Sequence, residues 1–122
     1  MFEVEKSFSF EAGHVLTHHD GKCQNVHGHS YYVKIILQKE ELQSEGSEKN
    51  MVCDFARISK AAKPMLATYF DHCFLNETLQ TDSPTAEFIA KWIFDHLKAD
   101  LPALYAVKVQ ETGTAVATYK SF

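Results

Sequence analysis

The chain has 122 residues, of which 45% are hydrophobic and 23% are charged, and this composition predicts one globular domain over residues 1–122. Sixteen acidic residues outnumber twelve basic ones, and the net charge of −4 argues against a nucleic-acid partner. No apolar run approaches the roughly 20 residues that span a bilayer. The N-terminus lacks a signal-peptide pattern, so we expect a cytoplasmic protein with no membrane partner and with free thiols.

Two segments near the N-terminus alternate polar and apolar residues with the period of a β-strand. The apolar face of the first segment carries Phe8, Phe10, Ala12 and His14. The apolar face of the second segment carries His27, His29, Tyr31, Val33, Ile35 and Leu37. Because histidines continue both apolar faces, we expect their side chains to point toward the core.

The middle of the chain changes to helical spacing after a polar, exposed connection over residues 39–50. Asp54 is the predicted N-cap of a first helix that continues to Tyr69, and Pro64 is expected to kink this helix or shift its end. A second helix is predicted to open with Ser83 as its N-cap and Pro84 at its first position.

The C-terminal part returns to strand spacing over residues 105–112 and, after a glycine, over residues 114–119. The predicted order is strand, strand, helix, helix, strand, strand. This order indicates an α+β domain in which two helices cover one face of an antiparallel four-stranded sheet. Such a sheet has two free edges, which small sheets often cover by pairing with a neighbouring subunit.

Histidines are concentrated in one part of the chain, where five of the seven fall within sixteen residues. His27 and His29 share one strand face, about 7 Å apart, and His14 ends the preceding strand on the same side. Three histidines with an open fourth position are typical of a catalytic zinc site, whereas a single core histidine needs no metal. His18 and His19 lie in the predicted loop, where we expect them to be solvated.

Other side chains are candidates for proton transfer or ligand binding. Cys23 lies four residues before His27 and could be a fourth ligand, a nucleophile or a general base. Asp71 could orient the neighbouring His72 for acid–base work, although a histidine at a helix end needs no function. Glu111 continues an apolar strand face, so it either points inward toward a ligand with paired donors or reaches solvent at the strand end.

These motifs occur in an order that resembles the 6-pyruvoyl-tetrahydropterin synthase superfamily over nearly the whole chain. The motifs that carry the resemblance are residues 10–14, 23–29, 71–72, 75–76, 84–87 and 111–112. Three residues separate Cys23 from the His-Gly-His motif. This short spacing is common in the bacterial branch, the 6-carboxy-5,6,7,8-tetrahydropterin synthases of queuosine biosynthesis, whereas the biopterin-pathway synthases usually have a longer one.

The resemblance implies a tunnelling fold with the element order ββααββ. In this fold, subunits of a homo-oligomer, a hexamer or a tetramer, join their sheets into a β-barrel and form active sites between them. The implied residue roles are Zn²⁺ binding by His14, His27 and His29, catalysis by Cys23, Asp71 and His72, and substrate binding by Glu111 and Thr85.

The implied reaction is a zinc-dependent conversion of 7,8-dihydroneopterin triphosphate to 6-carboxy-5,6,7,8-tetrahydropterin, acetaldehyde and triphosphate, without a redox cofactor. The first alternative is a 6-pyruvoyl-tetrahydropterin synthase that acts on the same substrate. Two further alternatives are a side-chain-cleaving variant that feeds folate synthesis and a non-catalytic module that binds zinc or a pterin.

Overall fold

The computed structural model describes residues 1–121, and a long hairpin forms its centre. Strands β1 (Phe2–His14) and β2 (His27–Lys39) pair antiparallel along all 13 residues of each. The register places His14 directly opposite His27. The predicted histidine-bearing faces are therefore adjacent at the loop end of the hairpin.

Three more strands complete a five-stranded sheet in the order β3-β1-β2-β4-β5. Strand β4 (Leu104–Glu111) pairs antiparallel with β2, and β5 (Ala115–Lys120) pairs antiparallel with β4. Strand β3 (Cys73–Phe74) is only two residues long and runs parallel to β1. The predicted four-stranded antiparallel sheet is therefore wrong, because the sheet is mixed and has a fifth strand too short to show any alternation.

Within the described residues, three α-helices connect these strands: α1 (Phe55–Tyr69), α2 (Leu75–Thr78) and α3 (Ala86–Leu97). The two long helices match the prediction, and the four-residue α2 was not expected. Asp54 caps α1 as predicted, since its carboxylate accepts a hydrogen bond from the backbone N–H of Ala56 at 2.9 Å.

Pro64 lies inside α1, and the helix continues past it to Tyr69. Of the two effects predicted for this proline, a shifted helix end is therefore excluded. The Pro64 side chain is exposed, so its ring lies on the solvent side of the helix.

The start of α3 differs from the prediction by two residues. Thr85, not Ser83, is the N-cap, and its hydroxyl accepts a hydrogen bond from the backbone N–H of Phe88 at 3.1 Å. Pro84 lies outside the helix, and its carbonyl accepts a hydrogen bond from the His14 ring at 2.9 Å. This tertiary contact holds the chain before Thr85 in place, and so the helix starts later than the sequence alone suggests.

The helices cover one face of the sheet, and alternation along the strands determines which side chains lie beneath them. Fully buried residues on this face of β2 and β4 include Tyr31, Val33, Ile35, Val107 and Val109. The opposite face is mostly polar and exposed, as Glu11, Ser30 and Lys34 illustrate. Among the described residues, no helix has the length and apolar character needed to cross a membrane.

We expect Ile35→Ala to lower the free energy of unfolding by about 2–5 kcal/mol, because a fully buried side chain is replaced by a cavity. Lys34→Ala is the matched control on the exposed face, where the ion pair with Glu5 at 3.6 Å contributes less than about 1 kcal/mol. Urea unfolding followed by circular dichroism measures both variants. Equal losses would contradict the assignment of the two sheet faces.

Candidate metal centre and active site

Three imidazole rings meet at the loop end of the β1–β2 hairpin. The ring centroids of His14 and His27 are 4.5 Å apart, those of His14 and His29 are 5.0 Å apart, and those of His27 and His29 are 4.7 Å apart. Together with Glu111, each residue offers one ligand atom, and these atoms lie within 4.8 Å of one another. Ligand atoms around a tetrahedral zinc ion are about 3.4 Å apart, so small side-chain movements would close this group on an ion.

Backbone carbonyls orient two of the rings. The Nδ1 atom of His14 donates a hydrogen bond to the carbonyl of Pro84 at 2.9 Å, and Nδ1 of His27 donates to the carbonyl of Asn25 at 2.6 Å. A carbonyl oxygen can only accept, so in each neutral ring the proton lies on Nδ1 and the lone pair on Nε2. This is the usual arrangement of a histidine that binds a metal through Nε2.

The buried ring nitrogens of the cluster fit a metal. Nε2 of His27 is buried without a hydrogen-bond partner among the described residues, although buried polar atoms are rarely left unpaired. Nε2 of His29 is also buried, and the Glu111 carboxylate beside it does not meet it in hydrogen-bond geometry. His14 is fully buried, and this burial lowers its pKa against the opposing effect of the bond to Pro84. The lower pKa favours the neutral imidazole that a metal ion requires. The donor set is therefore suited to Zn²⁺.

Glu111 points inward, which was the first of its two predicted orientations. Its Oε1 atom lies 2.9 Å from Nε2 of His29 and 3.8 Å from Nε2 of His14. The side chain also borders a cavity of about 520 Å³ that is lined by Thr85 and Val116 among others. The carboxylate can thus serve either as a fourth metal ligand or as an anchor for a molecule in this cavity.

A strained turn follows Glu111 at the end of β4. Thr112 has a φ of 61°, a left-handed conformation that β-branched residues seldom adopt. Its hydroxyl donates a hydrogen bond to the carbonyl of Glu111 at 2.5 Å. Such conformations persist only where the surrounding structure enforces them, and here the turn fixes the point at which β4 ends.

Cys23 lies near the cluster without joining it. Its sulfur is not part of the four-residue ligand group, and its carbonyl accepts a hydrogen bond from the N–H of Leu16 at 2.8 Å. Burial raises the pKa of the Tyr31 phenol, and the negative charges of Glu111 and of a nearby Cys23 thiolate add to this effect. The Tyr31 hydroxyl in turn lies 3.2 Å from Nδ1 of His14, so thiol, phenol and imidazole occupy one neighbourhood.

Asp71 and His72 lie at the outer edge of β1 and are not brought into the histidine cluster. Asp71 accepts a hydrogen bond from the N–H of Glu11 at 3.0 Å, and its other oxygen lies 3.0 Å from Nδ1 of His72. These two contacts hold the pKa of Asp71 below its usual value. His72 has a φ of 59°, which lets adjacent residues face each other, and its side chain is 80% exposed.

The loop histidines are solvent-exposed, as predicted. Nε2 of His18 lies 2.8 Å from Oδ2 of Asp82, and His19 accepts a hydrogen bond from the N–H of Gly21 at 2.8 Å. Sequence reasoning missed the carbonyls of Asn25 and Pro84, because every residue carries a carbonyl and a motif cannot reveal which one a ring will contact.

The class of this protein is defined by an α+β fold in which three histidines and one carboxylate that could hold a metal ion meet at the end of a hairpin. The family model of 6-pyruvoyl tetrahydropterin synthase matches residues 3–121. A Synechocystis protein named 6-carboxy-5,6,7,8-tetrahydropterin synthase is 43% identical over 122 residues, which covers 99% of this chain and 95% of the relative. A Haemophilus influenzae protein of the same name is 33% identical, with 98% and 99% covered.

The fold comparison agrees with these relatives. The solved structure of Caenorhabditis elegans 6-pyruvoyl tetrahydropterin synthase matches with a TM-score of 0.84 and 32% identity, covering 99% of this chain and 96% of that one. The chain belongs to the 6-pyruvoyl tetrahydropterin synthase family, which confirms the family expected from the sequence.

We expect His27→Ala to lose most of its bound zinc, because one of three nitrogen ligands is removed. Wild-type protein loaded with zinc and dialysed should retain close to one ion per chain, measured by plasma mass spectrometry. His96→Ala is the matched control, since His96 is exposed on α3 and stacks on Trp92 at 5.0 Å. Full zinc occupancy in His27→Ala would refute the three-histidine site.

Proposed function

We propose that this protein is a 6-carboxy-5,6,7,8-tetrahydropterin synthase. It is a zinc-dependent lyase that converts 7,8-dihydroneopterin triphosphate and one water molecule to 6-carboxy-5,6,7,8-tetrahydropterin, acetaldehyde and triphosphate. Relatives that bear this name align over nearly the whole chain. The observation that carries the proposal is the convergence of three histidines and Glu111, whose carboxylate also borders an open cavity.

In this proposal His14, His27 and His29 would hold the zinc ion. The backbone partners of His14 and His27 keep both rings in the required tautomer. A bound zinc ion supplies a Lewis acid for the side-chain hydroxyls of the substrate. The full burial of His14 closes the core side of the site, and in this proposal the substrate approaches through the cavity that Glu111 borders.

Glu111 and Thr85 bind the pterin ring. The amide and amino groups along one edge of a pterin donate two parallel hydrogen bonds, which a carboxylate accepts in a bidentate manner. Thr85 lines the same cavity, and its oxygen already accepts a bond from Phe88, so its hydroxyl hydrogen is free to donate to the ligand. The cavity volume of about 520 Å³ is in the range of pockets that bind small molecules such as a pterin.

Cys23 acts as the general base that removes a proton from the substrate side chain, and His72 donates or relays protons with its ring oriented by Asp71. The contact of 3.0 Å between Asp71 and Nδ1 of His72 supports this orienting role. Proton shifts relocate electrons within the substrate, so the reaction needs no redox cofactor.

We further propose a homo-oligomer, a hexamer or a tetramer, in which sheets join into a barrel and His72 serves Cys23 of a neighbouring subunit. The location of Asp71 and His72 outside their own chain's cluster supports this arrangement. His72 also borders a second cavity of about 430 Å³, which is lined by Glu11, Ser30 and the cluster histidine His29 among others. The proposed setting is queuosine biosynthesis in the cytoplasm.

The first test is mass spectrometry of the product that zinc-loaded protein forms from 7,8-dihydroneopterin triphosphate. We expect 6-carboxy-5,6,7,8-tetrahydropterin and acetaldehyde, and no product from Cys23→Ala because the base is removed. 6-Pyruvoyltetrahydropterin would instead favour the activity named for the C. elegans structure, which is 32% identical. No turnover by folded, zinc-filled protein would refute both activities and favour a binding module.

Glu111→Gln separates the two roles of the carboxylate. If Glu111 anchors the pterin, loss of the charge should raise KM by about 10- to 100-fold, since hydrogen bonds to charged groups contribute about 1.5–3 kcal/mol, while zinc content stays unchanged. Glu41→Gln, in the exposed connection after β2, is the control and should change neither value. Loss of zinc from Glu111→Gln would assign the carboxylate to the metal instead.

A further inference from the structure

One side-chain amide binds the backbone directly after the first histidine of the metal site. Oδ1 of Asn76 accepts a hydrogen bond from the N–H of Val15 at 2.9 Å, and Nδ2 of Asn76 donates to the carbonyl of Val15 at 2.8 Å. Strand β1 ends at His14, so Val15 has no strand partner for these two groups. A primary amide is the side chain that supplies an acceptor and a donor to one residue at once.

Val15 links two parts of the site. His14 precedes it, with a fully buried ring bonded to the carbonyl of Pro84. Leu16 follows it, and the N–H of Leu16 donates to the carbonyl of Cys23 at 2.8 Å. The two bonds from Asn76 therefore fix the short segment on which both a metal-site histidine and Cys23 depend.

The elements that the sequence did not predict bring Asn76 to this position. Strand β3 pairs with β1 at Ala12 and Gly13, immediately before His14. Helix α2 begins directly after β3 with Leu75, which is fully buried. Asn76 thus lies on the β3–α2 segment, which is anchored in the core by Leu75 and hydrogen-bonded to β1. Asn76 binds the residue that follows the end of this same strand.

We propose that Asn76 is a positioning residue that sets the placement of His14 and Cys23 through the backbone of Val15. This inference deepens the proposed function and rests on it for the role of Cys23. Asn76 touches neither substrate nor metal, and its effect reaches the site through the backbone from His14 to Leu16.

The test compares Asn76→Ala with Thr78→Ala. Thr78 lies on the same helix, and its hydroxyl donates to the carbonyl of Tyr69 at 2.6 Å, so its loss also removes a side-chain-to-backbone bond but leaves Val15 untouched. Three quantities are measured: zinc affinity by competition with a chelator, the alkylation rate of Cys23 in zinc-free protein with Cys73 as internal reference, and kcat and KM.

We expect Asn76→Ala to weaken zinc binding by about tenfold or more, in the range seen for outer partners of metal ligands. The alkylation rate of Cys23 relative to Cys73 should change by at least about threefold, because the Leu16–Cys23 contact loosens. We expect kcat to fall about tenfold with KM nearly unchanged, because the pterin contacts of Glu111 remain. Thr78→Ala should leave zinc affinity and relative alkylation within about twofold of the wild-type values, even if its melting temperature falls as much as that of Asn76→Ala.

The inference would be overturned if Asn76→Ala and Thr78→Ala had the same zinc affinity and the same relative alkylation rate. Asn76→Asp keeps the acceptor for the Val15 N–H and loses the donor, so we expect it to resemble Asn76→Ala. If Asn76→Ala does not fold, Asn76→Asp is compared with Thr78→Ala in its place. Full recovery in Asn76→Asp would contradict the two-bond contact. Zinc and thiol readouts do not need turnover, so they assess Asn76 even if the proposed reaction fails.

Discussion

The burial of imidazole nitrogens on the apolar face of a hairpin is the constraint on which the rest of the structure depends. A buried polar group without a partner costs about 1–3 kcal/mol. The register of β1 and β2 places His14 and His27 in direct opposition, so their ring nitrogens need partners in one small volume. Two are satisfied by the carbonyls of Pro84 and Asn25, and the Nε2 atoms that remain face one another and Glu111.

This constraint explains why segments distant in the chain meet at one end of the sheet. The loop before α3 must pass close enough for the Pro84 carbonyl to reach His14, and this places Thr85 beside the cavity that Glu111 also borders. On the other side, β3 follows β1 to the same end and brings α2 with it. The hydrogen-bonding groups at the end of β1 therefore determine where both neighbouring loops lie.

Period-two alternation predicted the orientation of the clustered histidines and of Glu111, because each lies at or near the end of a strand with one buried face. It could not predict β3 or α2, which span two and four residues and are too short to show a period. The N-cap of α3 shifted from Ser83 to Thr85 because a tertiary contact of Pro84 competes with local preference. Asp71 and His72 formed the expected pair, but only the topology reveals that they lie outside their own chain's cluster.

The position of Glu111 bears on how a catalytic metal centre keeps one coordination position available for the substrate. Three histidines and a carboxylate would complete a four-coordinate zinc site, which is the closed arrangement of structural metals. In the proposed reaction the carboxylate accepts the donor edge of the pterin, and a group engaged in a bidentate contact there is not available as a ligand. The strained turn at Thr112 holds Glu111 where both contacts lie within reach of one side chain. Binding of the pterin would then leave the fourth position to the substrate's own hydroxyls, so recognition and access to the metal depend on the same carboxylate.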